Sequence, residues 1–329
     1  MLDKSAHLNP KLYEPNIEQV PSRDGFGEGL VLAAEENDQI VGLCADLTES
    51  TRMQAFKDKF PDRFVEMGVA EQNLVTVASG MASVGKIPFV TSYAMFSPGR
   101  NWEQIRTTIC YNNQPVKIIG SHAGISVGPD GATHQALEDI AITRVLPNMV
   151  VIVPSDTIEA KKATVSIAKN GKPSYLRLSR AEVPVVTTPE SPFEVGVANV
   201  LTEGQDVAIV ACGQMVYVSL LAARELEEHG IKARVINCHT IKPLDKKTIL
   251  QAVEDCGAIV TVEEHQIAGG LGSAVAEVVS QEFPVPIQMV GISDHFGESG
   301  EPQELLEKFG LNKEAIIRAV TKAIRLKRV

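Results

Sequence analysis

The chain has 329 residues, which is enough for two domains of ordinary size. Its composition, 44% hydrophobic and 22% charged, is typical of a soluble globular protein. The formal net charge of −10 argues against a nonspecific binder of nucleic acid or anionic membranes, but it allows an anionic substrate held by local arginines.

The cysteine content and the start of the chain bear on the cellular compartment. The five cysteines are odd in number and form no Cys-x-x-Cys pair, which argues against a disulfide framework or a zinc site and indicates a reducing environment. The opening stretch "MLDKSAHLNPKLYEPN" is polar and lacks the apolar region of a signal peptide. No apolar run is long enough to span a bilayer. The sequence therefore predicts a cytoplasmic protein.

The first part of the chain alternates between two kinds of segment. Residues 1–20 are predicted to form an irregular N-terminal arm, because Pro10 and Pro15 interrupt any helix. The helical segments that follow are "GEGLVLAAEEN", "TRMQAFKDKF", "EQNLVTVASGMASVG", "NWEQIRTTIC", "QALEDIAITRV" and "IEAKKATVSIAKN". The β-rich segments between them are "QIVGLCADL", "RFVEMG", "IPFVTSYAMF", "VKIIGSH", "MVVIVPS" and "SYLRLSR". This alternation predicts a parallel sheet with helices on both faces over residues 21–185.

The alternation lapses in the middle of the chain and then resumes. The proline-rich stretch "AEVPVVTTPESPFEVG" indicates a linker, placed at residues 186–196. Beyond it the β-rich segments are "DVAIVACG", "KARVINC", "GAIVTVEE" and "IQMVGI". The helical segments are "QMVYVSLLAARELEEHG", "KKTILQAVEDC", "LGSAVAEVVSQ" and two terminal helices. The predicted fold is therefore two α/β domains, with the second and smaller one over residues 197–329.

Polar segments follow the predicted strands of the first domain. They are "CADLTES", "GVAEQN", "SYAMFSPGR", "SHAGISVGPDGATHQ" and "RLSR". Ligands bind beyond the carboxyl ends of the strands in an open parallel sheet, so these segments are candidates for a site. Each also has an ordinary explanation, because acidic residues complement helix starts and aromatic residues pack in cores. The histidines of the glycine-rich loop lack metal-ligand spacing, and zinc is not expected.

Five stretches, in this order and at these intervals, resemble the transketolase family: "ADLTES", "VEMGVAEQN", "PFVTSYAMF", "VGPDGATHQ" and "YLRLSR". The resemblance runs from about Arg23 to the C-terminus and corresponds to the pyrimidine-binding and C-terminal domains of transketolase. It implies a thiamine-diphosphate enzyme of the pentose phosphate pathway. Such an enzyme transfers a two-carbon ketol unit from a ketose phosphate of the xylulose 5-phosphate type to an aldose phosphate.

The resemblance assigns four residues to the cofactor. Glu71 is implied to hydrogen-bond N1′ of the aminopyrimidine ring and so to promote loss of the thiazolium C2 proton. Apolar neighbours favour the neutral form of this carboxyl, whereas a helix start favours the charged form. Tyr93 and Phe96 fall where the family has aromatic residues against the ring, with Gly99 in place of a further aromatic residue. Asp46 falls where the family has a structural aspartate near the cofactor.

The resemblance also assigns residues to the sugar phosphate. The residues implied to contact the hydroxyls of the sugar are His122, Asp130 and His134. Those implied to hold its phosphate are Arg23, Ser50 and Arg180. Arginine suits phosphate because its planar fork offers paired donors. His134 is suited to proton transfer, so the implied catalytic residues are Glu71 and His134.

One motif of the family is missing from this sequence. Full-length transketolase carries a Gly-Asp-Gly motif in an earlier domain, which holds the metal ion and the diphosphate, and this sequence contains no Gly-Asp-Gly. The resemblance therefore implies a split enzyme, in which an N-terminal partner subunit supplies the ligands of Mg²⁺ or Ca²⁺. No metal ligand is expected from this chain. Two copies of each subunit, with self-association of this chain, are expected to form an α2β2 heterotetramer.

Several alternatives stay open. Among thiamine-diphosphate enzymes they are a deoxyxylulose phosphate synthase, which shares the Asp-Gly-x-Thr-His-Gln loop, and the beta subunit of a 2-oxo-acid dehydrogenase. In another class, "GGLGSA" after "GAIVTVEE" matches part of a dinucleotide-binding fingerprint but lacks its third glycine. A non-catalytic subunit that keeps only the fold is opposed by Glu71, His134 and Arg180 together. His265, in "VEEHQIAGG", is predicted to be structural or part of an interface.

Overall fold

The computed structural model describes residues 1–327, and it confirms the predicted fold class of two α/β domains. The strands are β1 (Gln19–Pro21), β2 (Ile40–Cys44), β3 (Phe64–Glu66), β4 (Ile87–Tyr93), β5 (Lys117–Ser121), β6 (Val150–Ile152), β7 (Ser174–Arg177), β8 (Glu182–Pro184), β9 (Asn199–Val200), β10 (Val207–Ala211), β11 (Ala233–Asn237), β12 (Thr240–Lys242), β13 (Ile259–Gln266) and β14 (Ile287–Ile292). The α-helices are α1 (Ser22–Glu36), α2 (Gln54–Lys59), α3 (Glu71–Ser83), α4 (Trp102–Gln104), α5 (Asp139–Arg144), α6 (Thr157–Lys169), α7 (Met215–Glu228), α8 (Lys246–Cys256), α9 (Leu271–Glu282), α10 (Pro302–Lys308) and α11 (Lys313–Lys327).

The larger sheet has seven strands in the order β12, β6, β7, β5, β4, β2 and β3. Neighbouring strands pair in parallel except β12, which pairs antiparallel with β6. β2 and β5 are buried along their whole length, as expected for parallel strands covered on both faces. The carboxyl ends of β7, β5, β4 and β2 therefore lie side by side, and this end of the sheet carries the candidate site.

The smaller sheet has five strands in the order β14, β13, β10, β11 and β9. All pair in parallel except β9, which is antiparallel to β11. The N-terminal arm packs on this second domain, because Ala6, Leu12 and Ile17 are buried in its core. The arm is not wholly irregular. It contains a short 3-10 helix at Lys4–Ala6, and it ends in β1, which pairs antiparallel with β8.

One strand crosses the predicted domain boundary. β12 belongs by sequence to the second domain, and yet it extends the first sheet, with Thr240 opposite Ile152. Lys242 adds a second contact between β12 and the first domain, because its Nζ donates to the carbonyl oxygen of Arg144 at 2.9 Å. A three-residue strand carries no periodic pattern, so the sequence did not reveal this connection.

A buried ion pair also joins the domains. Arg177, at the end of β7, donates from Nε to Asp139 Oδ2 at 2.8 Å, and both side chains are almost fully buried. Its Nη2 donates to the backbone oxygen of Glu264 in β13 at 2.9 Å. Tyr175 donates its hydroxyl to the same carboxylate at 2.7 Å. Removing one partner of such a pair costs about 3–5 kcal/mol, so this cluster fixes the second domain against the end of β7.

The five cysteine side chains are buried and free. Burial raises the pKa of the Cys110 thiol to about 11 and that of Cys238 to about 12, so these thiols stay protonated. Among residues 1–327, no helix combines the length and the apolar character needed to cross a membrane.

Candidate active site

Glu71 is the first residue of α3, and its side chain is only 5% exposed. Oε1 accepts a hydrogen bond from Arg100 Nη1 at 3.0 Å. Oε2 accepts none from the part of the chain that the structure describes. Asn101 holds the start of the helix, since its Nδ2 donates to the backbone oxygen of Glu71 at 2.9 Å. Arg100 thus fixes the carboxylate of Glu71 at Oε1. The sequence predicted apolar neighbours for this carboxyl and did not indicate the arginine.

The turn after β4 places Arg100 over an aromatic ring. The guanidinium carbon of Arg100 lies 4.2 Å from the centroid of the Phe96 ring, at cation–π distance. Gly99 makes this turn possible, because a Cβ atom on it would lie 2.0 Å from the backbone oxygen of Met95. No side chain fits at this position. Arg100 directly follows this glycine, so the turn sets where its guanidinium lies.

Tyr93 and His122 stack at the ends of β4 and β5, with ring centroids 3.9 Å apart. Arg23 Nη1 lies 3.0 Å from His122 Nε2, and because a guanidinium only donates, Nε2 accepts. The proton of the neutral ring then sits on Nδ1, which donates to Ser121 Oγ at 2.9 Å. Burial, and next the charge of Arg23, lowers the pKa of His122 to about 3. His122 is therefore neutral at any physiological pH.

Arg23 and Arg180 approach this histidine from two elements. Arg23, near the start of α1, also donates from Nη1 to the backbone oxygen of Ser50 at 2.9 Å. Its Nε is buried and has no partner within residues 1–327. Arg180 Nη1 donates to the backbone oxygen of Val127 at 2.7 Å. Burial, and then the charge of nearby Arg52, lowers the pKa of Arg23. The region is electropositive, and an anion would satisfy the unpaired donor.

His134 and Asp130 lie on the glycine-rich loop, but only one of them joins the cluster. The His134 ring meets Phe96 edge-on at a centroid distance of 5.3 Å and Tyr93 at 6.3 Å. Its Nδ1 lies 2.9 Å from Thr133 Oγ1. Asp130 is exposed at the margin of the loop. The structure thus places His134 among the aromatic rings and leaves Asp130 outside them.

Asp46 lies in a separate group at the end of β2. Its backbone adopts φ of 57°, in the left-handed region, and its side chain is exposed. Glu66 fixes this turn, since Oε1 accepts from the backbone nitrogens of Asp46 at 2.8 Å and Gly68 at 2.9 Å. Glu66 Oε2 also accepts from Thr48 Oγ1 at 3.1 Å. Glu66, which the sequence did not single out, therefore ties the loop of Asp46 to the loop that leads into α3.

Most of the other sequence-predicted residues form one continuous set of contacts that Arg100 completes, whereas Arg180 contacts the backbone of Val127 instead. Starting from the carboxylate, the side chains that touch in turn are Glu71, Arg100, Phe96, Tyr93 with His134, His122 and Arg23. Ser50 joins through its backbone oxygen. An acidic group beside aromatic rings is thus joined to a cationic, hydrogen-bonding group. One molecule with an aromatic end and an anionic substrate beside it would fit along this line.

The segment "GGLGSA" does not form a dinucleotide site. It does follow β13 and open α9, as the fingerprint requires. However, the buried carboxylate of Glu263 accepts from the backbone nitrogens of Leu271 at 2.7 Å and Gly272 at 2.8 Å. The protein's own carboxylate occupies the place where a diphosphate would bind, which removes the oxidoreductase alternative.

His265 has a structural role, as the sequence indicated. Its side chain is fully buried, Nδ1 donates to the backbone oxygen of Gln266 at 2.7 Å, and Nε2 accepts from the backbone nitrogen of Ala141 at 3.4 Å. Burial lowers its pKa to about 4. A neutral histidine therefore links β13 to α5 across the domain interface.

The fold is that of a chain with two α/β domains, and the candidate site lies at the end of the larger sheet. Residues 18–186 match the family described as transketolase, pyrimidine binding domain, and residues 196–316 match transketolase, C-terminal domain. The chain belongs to the transketolase family, which implies the use of thiamine diphosphate.

Relatives and a solved structure agree with this family. A protein of Methanocaldococcus jannaschii described as a transketolase C-terminal section is 42% identical over 92% of this chain and 96% of its own length. A 6-deoxy-6-sulfo-D-fructose transketolase subunit of a Clostridium species is 40% identical over 93% of this chain and 95% of its own length. A solved structure described as a split gene transketolase, inactive beta4 tetramer, is 48% identical, with a TM-score of 0.89, and covers 94% of this chain and all of the other. The predicted likeness to the C-terminal subunit of split transketolases is confirmed.

Proposed function

We propose that this chain is one subunit of a thiamine-diphosphate-dependent transketolase, which transfers a two-carbon ketol unit from a ketose phosphate to an aldose phosphate. The observation that carries the proposal is the continuous line of contacts from Glu71 to Arg23. It sets a carboxylate and aromatic rings within reach of a cationic group. One relative is named for a sulfonated sugar, and a sulfonate, like a phosphate, is an anion that such arginines bind.

The residues around Glu71 fit the aminopyrimidine ring of thiamine diphosphate. Phe96 and Tyr93 supply the aromatic rings near Glu71, and Glu71 Oε2 is free of protein partners within residues 1–327. When bound, the cofactor supplies the nucleophilic carbon that breaks the ketose C2–C3 bond. Glu71 holds the ring nitrogen N1′ and shares a proton with it, while Arg100 keeps the carboxylate in place. Asp46 supports the loop beside this ring.

The substrate end is assigned to the histidines and arginines. Arg23 and Arg180 bind the phosphate oxygens, with Ser50 beside them. Neutral His122 has a fixed tautomer, because Nε2 accepts from Arg23 and Nδ1 donates to Ser121, and it is assigned to a sugar hydroxyl that would take the place of Arg23 Nη1 at Nε2. His134 moves a proton at the reacting oxygen, and Asp130 contacts a hydroxyl from the margin. The proposed domains are residues 21–185 and 197–329, with the linker at 186–196.

A partner subunit is proposed to complete the site. Among residues 1–327, no group of three or more His, Cys, Asp or Glu side chains is placed to hold a metal ion. The diphosphate and its Mg²⁺ or Ca²⁺ are assigned to an N-terminal transketolase subunit, in an α2β2 assembly in the cytoplasm, because this sequence contains no Gly-Asp-Gly. A relative of known structure is described as a tetramer of beta chains, which supports self-association of this chain.

Reconstitution tests the proposal. The chain is co-expressed with candidate subunits that carry Gly-Asp-Gly, and the complex is assayed for ketol transfer from xylulose 5-phosphate to ribose 5-phosphate. The same complex is given 6-deoxy-6-sulfofructose as an alternative donor, and pyruvate with glyceraldehyde 3-phosphate as a control. We expect ketol transfer from at least one anionic ketose and no release of CO₂ from pyruvate. CO₂ release without ketol transfer would instead establish the deoxyxylulose phosphate synthase alternative.

A further inference from the structure

A glutamate of the second domain touches the loop that carries the substrate histidines. Glu264, in β13, is only 5% exposed. Its Oε1 accepts from the backbone nitrogen of Ser126 at 2.7 Å, and its Oε2 accepts from Gln214 Nε2 at 2.6 Å. Gln214 Nε2 also lies 3.0 Å from Ser126 Oγ. Ser126 is therefore held at both its backbone and its side chain by two residues of the second domain.

The loop backbone is shaped to receive this carboxylate. Gly124 has φ of +90°, a conformation that side chains disfavour. A Cβ atom on Gly124 would lie 2.3 Å from the carboxyl carbon of Glu264. The loop thus approaches the carboxylate at a distance that only glycine permits, two residues after His122.

The same stretch of loop binds the side chain of Arg180, which follows β7. Arg180 Nη1 donates to the backbone oxygen of Val127, the residue after Ser126, at 2.7 Å. Gln135 Nε2 donates to the backbone oxygen of Ile125, on the other side of Ser126, at 3.1 Å. Displacement of Ser126 would move the carbonyl that holds Arg180, because the two groups belong to consecutive residues.

Holding a buried carboxylate here carries an energetic cost. Burial raises the pKa of Glu264, and the charge of Arg177 and the hydrogen bonds from Ser126 and Gln214 act in the opposite direction. Replacing buried charges by apolar groups is often neutral or stabilising, so stability alone gives a weak reason for this glutamate. A role in positioning the loop at Ser126 is a more specific reason for a glutamate at this position.

We propose that Glu264 is a positioning residue, which fixes Ser126 and, through the carbonyl of Val127, sets Arg180 for the anionic end of the substrate. The second domain then takes part in substrate affinity without touching the substrate. The inference rests on the proposed function, because it uses the phosphate-binding role of Arg180.

The test is Glu264→Met in the reconstituted enzyme. A methionine keeps about the length of the side chain but has no carboxylate oxygen, so both Ser126 N–H and the Gln214 amide lose their acceptor. We expect the KM for the ketose phosphate to rise about tenfold and kcat to change by less than about threefold. Backbone amides of residues 122–135 should exchange hydrogen faster, as measured by mass spectrometry.

Two further variants separate positioning from general destabilisation. In Glu264→Gln combined with Gln214→Glu, the donor and acceptor exchange places, so every hydrogen bond can form again and KM should return to within about threefold of wild type. Glu263→Gln alters the neighbouring buried glutamate, whose partners lie at the start of α9. It should lower the thermal unfolding midpoint and leave KM unchanged.

An unchanged KM in a folded, assembled Glu264→Met enzyme would overturn the proposal. So would a swap variant that binds substrate no better than Glu264→Met. If the wild-type complex transfers no ketol unit at all, the proposed function is wrong, and amide exchange is then the measurement that tests the positioning role. In that case, unchanged exchange over residues 122–135 in Glu264→Met overturns the positioning role, and faster exchange supports it.

Discussion

At the scale of single residues, cofactor activation is expected to depend most on Glu71. Glu71→Gln keeps an oxygen that accepts from Arg100, but an amide cannot share a proton with a ring nitrogen. In the reconstituted enzyme we expect exchange of the cofactor's C2 hydrogen for deuterium to slow by at least about 100-fold. Glu103→Gln is a control, because this exposed glutamate lies on the nearby helix α4. Wild-type exchange in Glu71→Gln would remove Glu71 from this role.

Arg180 is expected to discriminate between charged and uncharged sugars. Arg180→Ala removes a charge-assisted hydrogen bond, so we expect KM for a phosphorylated acceptor to rise about 10- to 100-fold. KM for glycolaldehyde, which has no phosphate, should change by less than about threefold. Arg52→Ala is the matched control, because Arg52 lies near the cluster but its Nε is paired with Asp24 at 2.6 Å. Equal losses for both acceptors would contradict the phosphate role of Arg180.

The resemblance to transketolase assigned the individual site residues, and the strand pattern placed most of their segments after the strands of the larger sheet. Tyr93 ends β4, and His122 comes directly after β5, so their places follow from the strand pattern and the order of the sheet. Arg100 was not visible, because its contact with Glu71 depends on the turn that Gly99 allows. Glu264 was not visible either, since it meets the loop only through packing between domains. Local patterns indicate which residues stand at strand ends, but not which side chains meet across a turn or an interface.

At the scale of elements, β13 holds two buried groups that act on stability in opposite directions as pH falls: His265 lowers it, and Glu263, whose pKa burial raises to about 7, increases it. Burial lowers the pKa of His265 to about 4, against about 6.5 in an unfolded chain. As pH falls, His265 is protonated in the unfolded chain before it is protonated in the folded chain. The contribution of neutral His265 to stability is therefore present above pH 6.5 and is lost as pH falls toward 4. Between pH 7 and pH 5 this residue alone removes about 2 kcal/mol from the free energy of unfolding. Buried His122 and His239, with pKa values lowered to about 3 and about 4, act in the same direction.

Substitution of His265 measures how much this residue contributes to the pH dependence of the free energy of unfolding. His265→Gln has no proton to gain, so its free energy of unfolding should fall about 2 kcal/mol less than that of wild type between pH 7 and pH 5. Urea unfolding followed by the fluorescence of Trp102, the single tryptophan, measures the difference. His295→Gln, at an exposed site, should keep the wild-type dependence. Parallel pH profiles for wild type and His265→Gln would show that His265 does not contribute to this pH dependence.

Elements differed in how well the sequence specified them. β2 and β10 are continuous apolar runs, which made them recognisable as parallel strands buried on both faces. The helix predicted over "NWEQIRTTIC" is only partly regular, since α4 passes into a π-helical turn at Ile105–Cys110. β12 escaped notice because its three residues pair with a strand nearly ninety positions earlier in the chain. Pairing over such a distance leaves no local trace.

At the scale of the whole molecule, the site lies open at the end of the larger sheet. Val69, two residues before Glu71, is 70% exposed, and Phe296 is 80% exposed. Phe296 belongs to the segment that reaches the glycine-rich loop, where a Cβ atom on Gly131 would lie 2.6 Å from Ser299 Oγ. Apolar side chains exposed beside a polar site are typical of surfaces that another chain covers. We expect the partner subunit to cover both of them.

The chain alone is therefore expected to be inactive. Diphosphate binding through Mg²⁺ needs several oxygen ligands in near-octahedral geometry, and these are assigned to the partner. We expect calorimetry to detect no tight binding of thiamine diphosphate to the purified 35.5 kDa chain, and tight binding after the partner is added. Native mass spectrometry should then record two copies of each subunit, because each site would form between this chain and a partner chain, and two such sites would be related by a two-fold axis. Robust ketol transfer by the purified chain with only thiamine diphosphate and Mg²⁺ added would overturn the split-enzyme proposal.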